Sequence, residues 1–359
     1  MNFNFYLLKS LRIFLFPFSL IYGLIVIIRN YLYDKNIIKS VSFNLPVIAV
    51  GNLIVGGTGK SPMVEYLIRL LKGKYNVATI SRGYKRKTKG YALAHFETTA
   101  LEIGDEPMQF HAKFPDVAVA VGEARIEAIP QLLQDRPDTQ VILLDDAFQH
   151  RTITPGFNIL LTECNNLFTR DFFLPTGDLR DQRSSYKRAN VIVVTKCDAY
   201  MTLDEKATVI NEIKPLPHQQ LFFTAILYNE PYHILTKEKR NITVFDEVLL
   251  VTGIANTQPL KSYIVNQAKT YEELAYSNHH IFTIDDLKDI RKRFNEMAAD
   301  NKMIVTTEKD AVRLIKFQTE LLDIPVYVLP VQHRFLFGDA MNFEGLVTNF
   351  INKFSAIKS

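Results

Sequence analysis

The first pattern in the chain is Ile13–Ile28, the uncharged run IFLFPFSLIYGLIVII, with Lys9 and Arg12 before it and Arg29 after it. A membrane-spanning helix needs about 20 apolar residues, so the run is short for one. Pro17 and Gly23 also interrupt it. A cleaved signal would want a small-residue site, which Arg29-Asn30-Tyr31 does not offer. A buried core helix and a true span are two readings. The run fits a third better: an interfacial anchor, with its apolar body in the acyl boundary and its basic flanks on anionic head groups.

From residue 41 to about 210, short β-branched runs alternate with segments of helical period. Val47–Val50, Val77–Ser81, Val117–Val121, Val141–Leu144, Phe157–Leu161 and Val191–Thr195 read as strands. Ser61–Lys72, Pro107–Lys113 and Arg125–Gln134 read as helices. Such alternation predicts a parallel sheet with ligands at the carboxyl ends of its strands. Lys214-Pro-Leu-Pro-His218 is a linker signal. An extended apolar run, Leu221–Tyr228, follows it. A second α/β unit then starts at Val248–Thr252. It continues through helices at Pro259–Ala268, Ile284–Ala299 and Asp310–Gln318 and strands at Met303–Thr306 and Val326–Leu329. Asn342–Phe354 is an amphipathic helix placed to pack back on the first unit.

At 359 residues, 47% of them apolar, the chain suits about two domains with real cores. The expected division is a membrane-associating segment 1–33, a first domain 34–218 with 336–359 packed back on it, and a second domain 219–335. The formal charge of +4 is mild, and no nucleic-acid partner is expected. The charge is concentrated in one place, since Arg82, Lys85, Arg86, Lys87 and Lys89 crowd together after an apolar run. They form either a solvated loop or a patch for an anionic substrate or lipid head group. Cys164 and Cys197 have no partner spacing, which fits a reducing compartment.

The chemistry centres on the stretch after the first strand. Gly51 is followed by Gly56, Gly57, Thr58, Gly59, Lys60 and Ser61, and then by a helical segment. Backbone amides at a helix N-terminus favour anions, and glycines let the backbone wrap a phosphate closely. In such a loop Lys60 reaches the β/γ-phosphates and the Ser61 hydroxyl ligates Mg²⁺. The strict loop pattern wants glycine where Ile54 stands, so this is a variant. The fold class that follows is α/β. A P-loop NTPase-like, mainly parallel sheet domain is joined by a second, smaller α/β domain and an N-terminal membrane-associating helix.

Other polar motifs follow predicted strand ends. Leu144 closes an apolar strand on Asp145-Asp146, where a carboxylate can hold Mg²⁺. Two adjacent buried acids repel, which also implies a nearby cation. Gly104-Asp105-Glu106-Pro107 is either helix capping or a proton acceptor at the lip of a phosphate site. His279-His280 lack a third metal ligand, and a histidine bonded to a catalytic Asp is the useful case. Thr195-Lys196-Cys197-Asp198 resembles the base-reading element of GTPases.

Together these motifs resemble the tetraacyldisaccharide 4′-kinase family of lipid A biosynthesis. The match rests on Gly51-Asn52 with Gly56–Pro62, Ser81-Arg82-Gly83-Tyr84, Gly104–Pro107 and Asp145–His150. It continues through Leu174–Arg180, Thr252–Asn256, Asn278-His279-His280 and Thr307–Val312. Ala147 stands where the family often has Gly, Asn278 where it often has Asp, and Ser61 where Thr is usual.

The resemblance implies transfer of the ATP γ-phosphate, with Mg²⁺, to the 4′-hydroxyl of a tetraacylated glucosamine disaccharide 1-phosphate. It implies a peripheral enzyme on the cytoplasmic face of a Gram-negative inner membrane, expected as a monomer. It assigns Lys60 and Ser61 to phosphate and Mg²⁺, Asp105 as general base and His279 as its assistant. Asp145 and Asp146 fall to the metal region, and Arg82, Tyr84, Gln149 and His150 to substrate or phosphates. Two other readings remain at this point: a variant-loop GTPase acting as a chaperone or partitioning switch, and a soluble small-molecule kinase.

Overall fold

The computed structural model describes residues 12–357. Lys9 and the start of the expected 1–33 segment lie outside the described residues. Helix α1 (Phe16–Asp34) runs past the Ile28 end of the apolar run and is not broken by Pro17 or Gly23. Pro17 sits in the first turn, where a missing N–H leaves no bond unmade. Gly23 is a docking contact, since a Cβ there would stand 2.6 Å from the Phe173 ring.

One stripe of α1 is buried: Ser19, Gly23, Val26, Asn30 and Tyr33. Phe14, just ahead of it, and Phe18, Ile21, Leu24 and Ile25 are exposed. The buried-core reading of this run is therefore overturned, because its apolar face is the outer one. By length and composition the helix could cross a membrane.

The chain then builds β1 (Val47–Asn52), α2 (Lys60–Leu71), β2 (Val77–Ser81), β3 (Ala92–Leu93) and α3 (Asp105–Lys113). It continues with β4 (Ala118–Val121), α4 (Arg125–Asp135), β5 (Val141–Asp145), β6 (Phe157–Glu163), β7 (Val191–Thr195), α5 (Leu203–Ile213) and β8 (Gln220–Tyr228). The second half contains β9 (Tyr232–His233), β10 (Glu247–Thr252), α6 (Gln258–Gln267), β11 (Thr270–Ala275) and α7 (Ile284–Glu296). It closes with β12 (Lys302–Thr307), α8 (Glu308–Leu314), β13 (Val326–Leu329), β14 (Val331–Phe335) and α9 (Ala340–Ile357).

A nine-stranded sheet has the order β14-β8-β7-β6-β1-β5-β2-β4-β3. Its members pair in parallel from β8 to β4, and only the edge strands β14 and β3 run antiparallel. The central strands are buried along their whole length, as a sheet covered on both faces requires. A five-stranded sheet, β11-β10-β12-β13-β9, forms the second unit.

The Lys-Pro-Leu-Pro-His stretch does not separate the two sheets. The apolar run after it becomes β8, which pairs with β7, and the chain leaves the first sheet only after Tyr228. It returns at Val331, where β14 pairs with β8. Helix α9 buries Phe343, Val347 and Ile351 in the core shared with α2.

Candidate active site

The loop from Leu53 to Gly59 leaves the carboxyl end of β1, which lies between β5 and β6. Gly56 (φ +127°) and Gly59 (φ +83°) hold left-handed backbone that a side chain would strain. Added Cβ atoms at Gly56 and Gly57 would meet nothing within 4 Å, so the loop's outer face is open. Its inner face is packed. The imidazole Nε2 of His333, on β14, lies 2.8 Å from the Gly59 carbonyl, and its Nδ1 lies 2.9 Å from Thr224 Oγ1. Burial pushes His333 down to about 4, so the ring is neutral. It donates from Nε2–H to Gly59 and accepts from the Thr224 hydroxyl. The Thr195 hydroxyl ties down the Thr58 carbonyl at 2.9 Å.

Lys60 and Ser61 open α2, whose first amides have no intrahelical partner. Lys60 Nζ lies 3.6 Å from Asp146. Burial lowers the Lys60 pKa, although the Asp146 charge opposes it. Arg180 grips Asp146 through both terminal nitrogens, one of them at 3.0 Å, and also donates to the Asn52 side-chain oxygen. Burial works against the Asp146 carboxylate, but the Arg180 bonds and the Lys60 charge hold it well below the usual range.

Asp145 has the opposite environment. Burial, then the charge of Asp146, pushes its carboxyl up to about 7. Its Oδ1 is buried without a hydrogen-bond partner. An orphaned carboxylate oxygen at the end of β5, within reach of the Lys60 charge, fits a hard divalent cation such as Mg²⁺. Among the described residues no group of three His, Cys, Asp or Glu side chains could hold a metal alone. A cation here would complete its coordination with phosphate oxygens and water.

The second cluster joins the two sheets. Asp105 opens α3, and His279 follows β11 with a left-handed φ of +64°. His279 Nδ1 lies 3.0 Å from Asp105 Oδ2, and Lys309 Nζ lies 3.2 Å from His279 Nε2. Lysine can only donate, so Nε2 accepts and Nδ1–H points at Asp105. The Arg313 terminal nitrogen that also lies 3.0 Å from Nδ1 then directs its own N–H to the Asp105 carboxylate rather than to the ring. Burial lowers the His279 pKa against the pull of Asp105, which is consistent with a neutral ring. His280 turns away to Asp286, at 2.9 Å. The structure thus separates two histidines that sequence could not. Arg313, on α8, grips Asp105 with its Nε at 2.9 Å from Oδ1 and a terminal nitrogen on Oδ2.

The remaining expected residues divide. The Tyr84 ring lies edge-on to His279, with centroids 5.7 Å apart, and is 61% exposed, free to meet a ligand. Gly104 packs on the Tyr84 backbone, which brings the 81–84 turn to Asp105. Arg82 lies within electrostatic reach of His150, whose imidazole is pressed to about 4 by burial and then by Arg125. The Gln149 side chain is committed to the Asn52 carbonyl at 2.6 Å, which braces the loop from behind. In the basic run, Arg86 folds inward to Glu123 at 2.7 Å.

Lys196 pairs with Glu163, and Asp198 caps its own turn at the Tyr200 amide. Both side chains are thereby engaged locally. Sequence reasoning gave no role to Arg180, Arg313 or His333. Arg180 at least ends a recognised motif, and Arg313 lies just past another. Nothing in the sequence marks His333, whose contact is made between strands distant in the chain.

A family model described as tetraacyldisaccharide-1-P 4′-kinase matches residues 11–352. The chain belongs to this kinase family. The tetraacyldisaccharide 4′-kinase of Flavobacterium johnsoniae is 46% identical over 347 residues, covering 96% of this chain and 99% of that one. The one from Phocaeicola vulgatus is 42% identical, covering 94% of this chain and 95% of that one. A crystal structure of LpxK from Aquifex aeolicus, described as an "apo" form in complex with ATP, superposes with a TM-score of 0.74. It is 26% identical, over 95% of this chain and 99% of that one. Membership in the 4′-kinase family makes the chain an ATP-dependent kinase and displaces the GTPase reading.

Proposed function

We propose that this chain transfers the γ-phosphate of ATP to the 4′-hydroxyl of a tetraacylated glucosamine disaccharide 1-phosphate, with Asp105 as the proton acceptor. The observation that carries the mechanism is the Asp105–His279 hydrogen bond, which ties α3 to the turn after β11. The charge of the adjoining Glu106 is felt at Asp145, which supports reading the pair and the phosphate loop as one site. Loop amides and Lys60 hold the β/γ-phosphates. Arg180 steadies Asp146 and Asn52 beside the loop and is placed to answer charge on the transferring group. Ser61 and Asp145 would hold Mg²⁺, which would supply positive charge to offset that of the phosphates.

Asp105 takes the proton as the sugar oxygen bonds to phosphorus, and His279 keeps the carboxylate oriented. Tyr84 and Arg82 border the acceptor's approach. Gln149 acts through the loop, since it is committed to Asn52, and His150 stays a half-buried neutral ring beside Arg82. The outward apolar face of α1 seats the enzyme on a lipid surface, with the cytoplasmic leaflet as the natural source of both ATP and acceptor.

The test is chemical. Purified enzyme, labelled ATP and the acylated disaccharide 1-phosphate are expected to give one new phosphate, at the 4′ position. Label on any other oxygen, or release as inorganic phosphate alone, would overturn the reading. A water-soluble acceptor phosphorylated as well as the lipid would favour the small-molecule kinase.

A further inference from the structure

Helix α8 belongs to the second sheet's unit, yet its polar side chains reach across to the first. Lys309 Nζ lies 2.8 Å from Glu106, and Arg313 grips the neighbouring Asp105. The Arg313 side chain is 7% exposed and that of Asp105 13%, so the pair is screened from water. Arg313 is itself braced, with one nitrogen 3.4 Å from Asp310 Oδ1 and from the His280 carbonyl. Asp310 in turn accepts from the Gly253 amide at 3.0 Å and from the Thr307 hydroxyl at 2.7 Å. This fixes α8 to the loop side of the site that carries His279, whose own amide donates to the Gly253 carbonyl at 3.0 Å.

The partners of the two carboxylate oxygens differ. Oδ2 accepts from both Arg313 and His279, whereas Oδ1 accepts from the Arg313 Nε alone. A carboxylate offers about four lone-pair sites. The free capacity therefore lies on Oδ1, fixed in direction by the planar guanidinium.

We propose that Arg313 is a positioning residue of the transfer step: its guanidinium fork holds Asp105 as an anion with Oδ1 presented to the incoming hydroxyl. This rests on the reading of Asp105 as proton acceptor. The sugar O–H bond breaks as the new O–P bond forms, the bond from the γ-phosphorus to the ADP oxygen breaks and ADP leaves with that electron pair, and the proton passes to Oδ1 while Arg313 and His279 stay on their own lone pairs. Beyond Arg313, the groups facing Asp105 are His279 and Lys309, with Glu106 beside it on its own helix and Tyr84 across the turn. Burial raises the Asp105 pKa, but Arg313 and then His279 bring the net value below the ordinary one. Without the fork, Asp105 would take up a proton at higher pH, and the acidic side of the activity profile would move with it.

The experiment compares pH profiles of kcat/KM for wild type, Arg313→Gln and Arg313→Lys, and adds Arg313→Gln to an Asp105→Asn background. Arg313→Gln is expected to move the acidic limb upward by about one unit or more. Its kcat should fall at least tenfold while KM for ATP stays within about twofold. Arg313→Lys, which keeps the charge and loses the fork, should restore part of the limb position but little of kcat. In the Asp105→Asn background, Arg313→Gln should cost almost nothing more, as expected when one group acts through the other.

An unmoved limb in both single variants, or a full further loss in the double variant, overturns the role given to Arg313. If Arg313→Gln does not fold, the limb of Arg313→Lys decides alone. Near-normal turnover of Asp105→Asn overturns the base reading itself and takes this inference with it.

Discussion

At the scale of single residues, adjacent acids at one strand end are driven in opposite directions by their surroundings. Asp146 has Arg180 and Lys60 and stays ionised, whereas Asp145 has burial and a negative neighbour and rises to about 7. An acid whose folded pKa lies above its unfolded value costs stability once pH exceeds the unfolded value. That cost reaches its full size above the folded value. For Asp145 the window runs from the model-compound 3.8 to about 7.

Asp145→Asn is therefore expected to stabilise the metal-free protein at pH 8 by about 1 kcal/mol or more. The gain over wild type should shrink toward zero as pH falls to 4. Paired melting curves at several pH values measure it, and a constant difference across pH would contradict it. The same variant should lose Mg²⁺-dependent turnover, because the carboxylate that costs stability is the one suited to the cation.

At the scale of elements, the phosphate loop takes its shape from behind as well as from its own glycines. His333 on β14 supports the Gly59 carbonyl, and Thr195 on β7 supports that of Thr58. His333→Ala removes a buried donor and leaves a carbonyl unpaired, which costs about 1–3 kcal/mol. KM for ATP should rise about tenfold or more, with kcat changed much less. His333→Gln, which keeps a donor, should recover part of the loss. An unchanged KM in the alanine variant would show that the loop does not need this support.

The same elements show what sequence could and could not convey. The loop, the strands β1, β2, β5, β6 and β7 and the helices α2 and α4 are written in local periodicity and turn chemistry, so they were legible. Asp105 and His279 could be singled out because each stands in a motif at the end of an element, and the structure brings the two into hydrogen-bond contact. Their partners were not. Arg313 and Asp105 are 208 positions apart along the chain, and His333 and Gly59 are 274 apart. No local pattern encodes such pairings.

Strand β8 illustrates the other kind of miss. Two prolines ahead of it read as a break between domains, yet the sheet continues because the apolar run had an open edge beside β7 to join. Edge strand β14 was missed for a related reason, since Gln332 and Arg334 interrupt its apolar run.

At the scale of the whole molecule, the units of the two sheets meet at the Asp105–His279 pair and an apolar helix is docked on the first of them. α1 is fastened to the segment that carries Arg180. Its Ser19 hydroxyl donates to the Phe173 carbonyl at 3.0 Å, Tyr22 to the Arg180 carbonyl at 3.0 Å and Asn30 to Asp181 at 2.7 Å. The helix with the exposed apolar face is therefore tied directly to the segment that holds Asp146 and Asn52 beside the phosphate loop. Phe18→Asp with Ile25→Asp alters only exposed positions, 61% and 60% accessible, so folding should survive. Binding to anionic vesicles should fall tenfold or more, since each charge costs a few kcal/mol at an apolar boundary. Activity on detergent-dispersed acceptor should change far less. Equal vesicle binding by the variant and wild type would remove α1 as the seat.

The central claim is that Asp105 draws the proton from a lipid sugar hydroxyl while the loop holds ATP. The most direct measurement is single-turnover formation of the 4′-phosphorylated product by Asp105→Asn, with ATP affinity measured on the same preparation. Turnover is expected to fall by about 10²-fold or more with Kd for ATP unchanged. Turnover close to wild type, at an intact Kd, would contradict it.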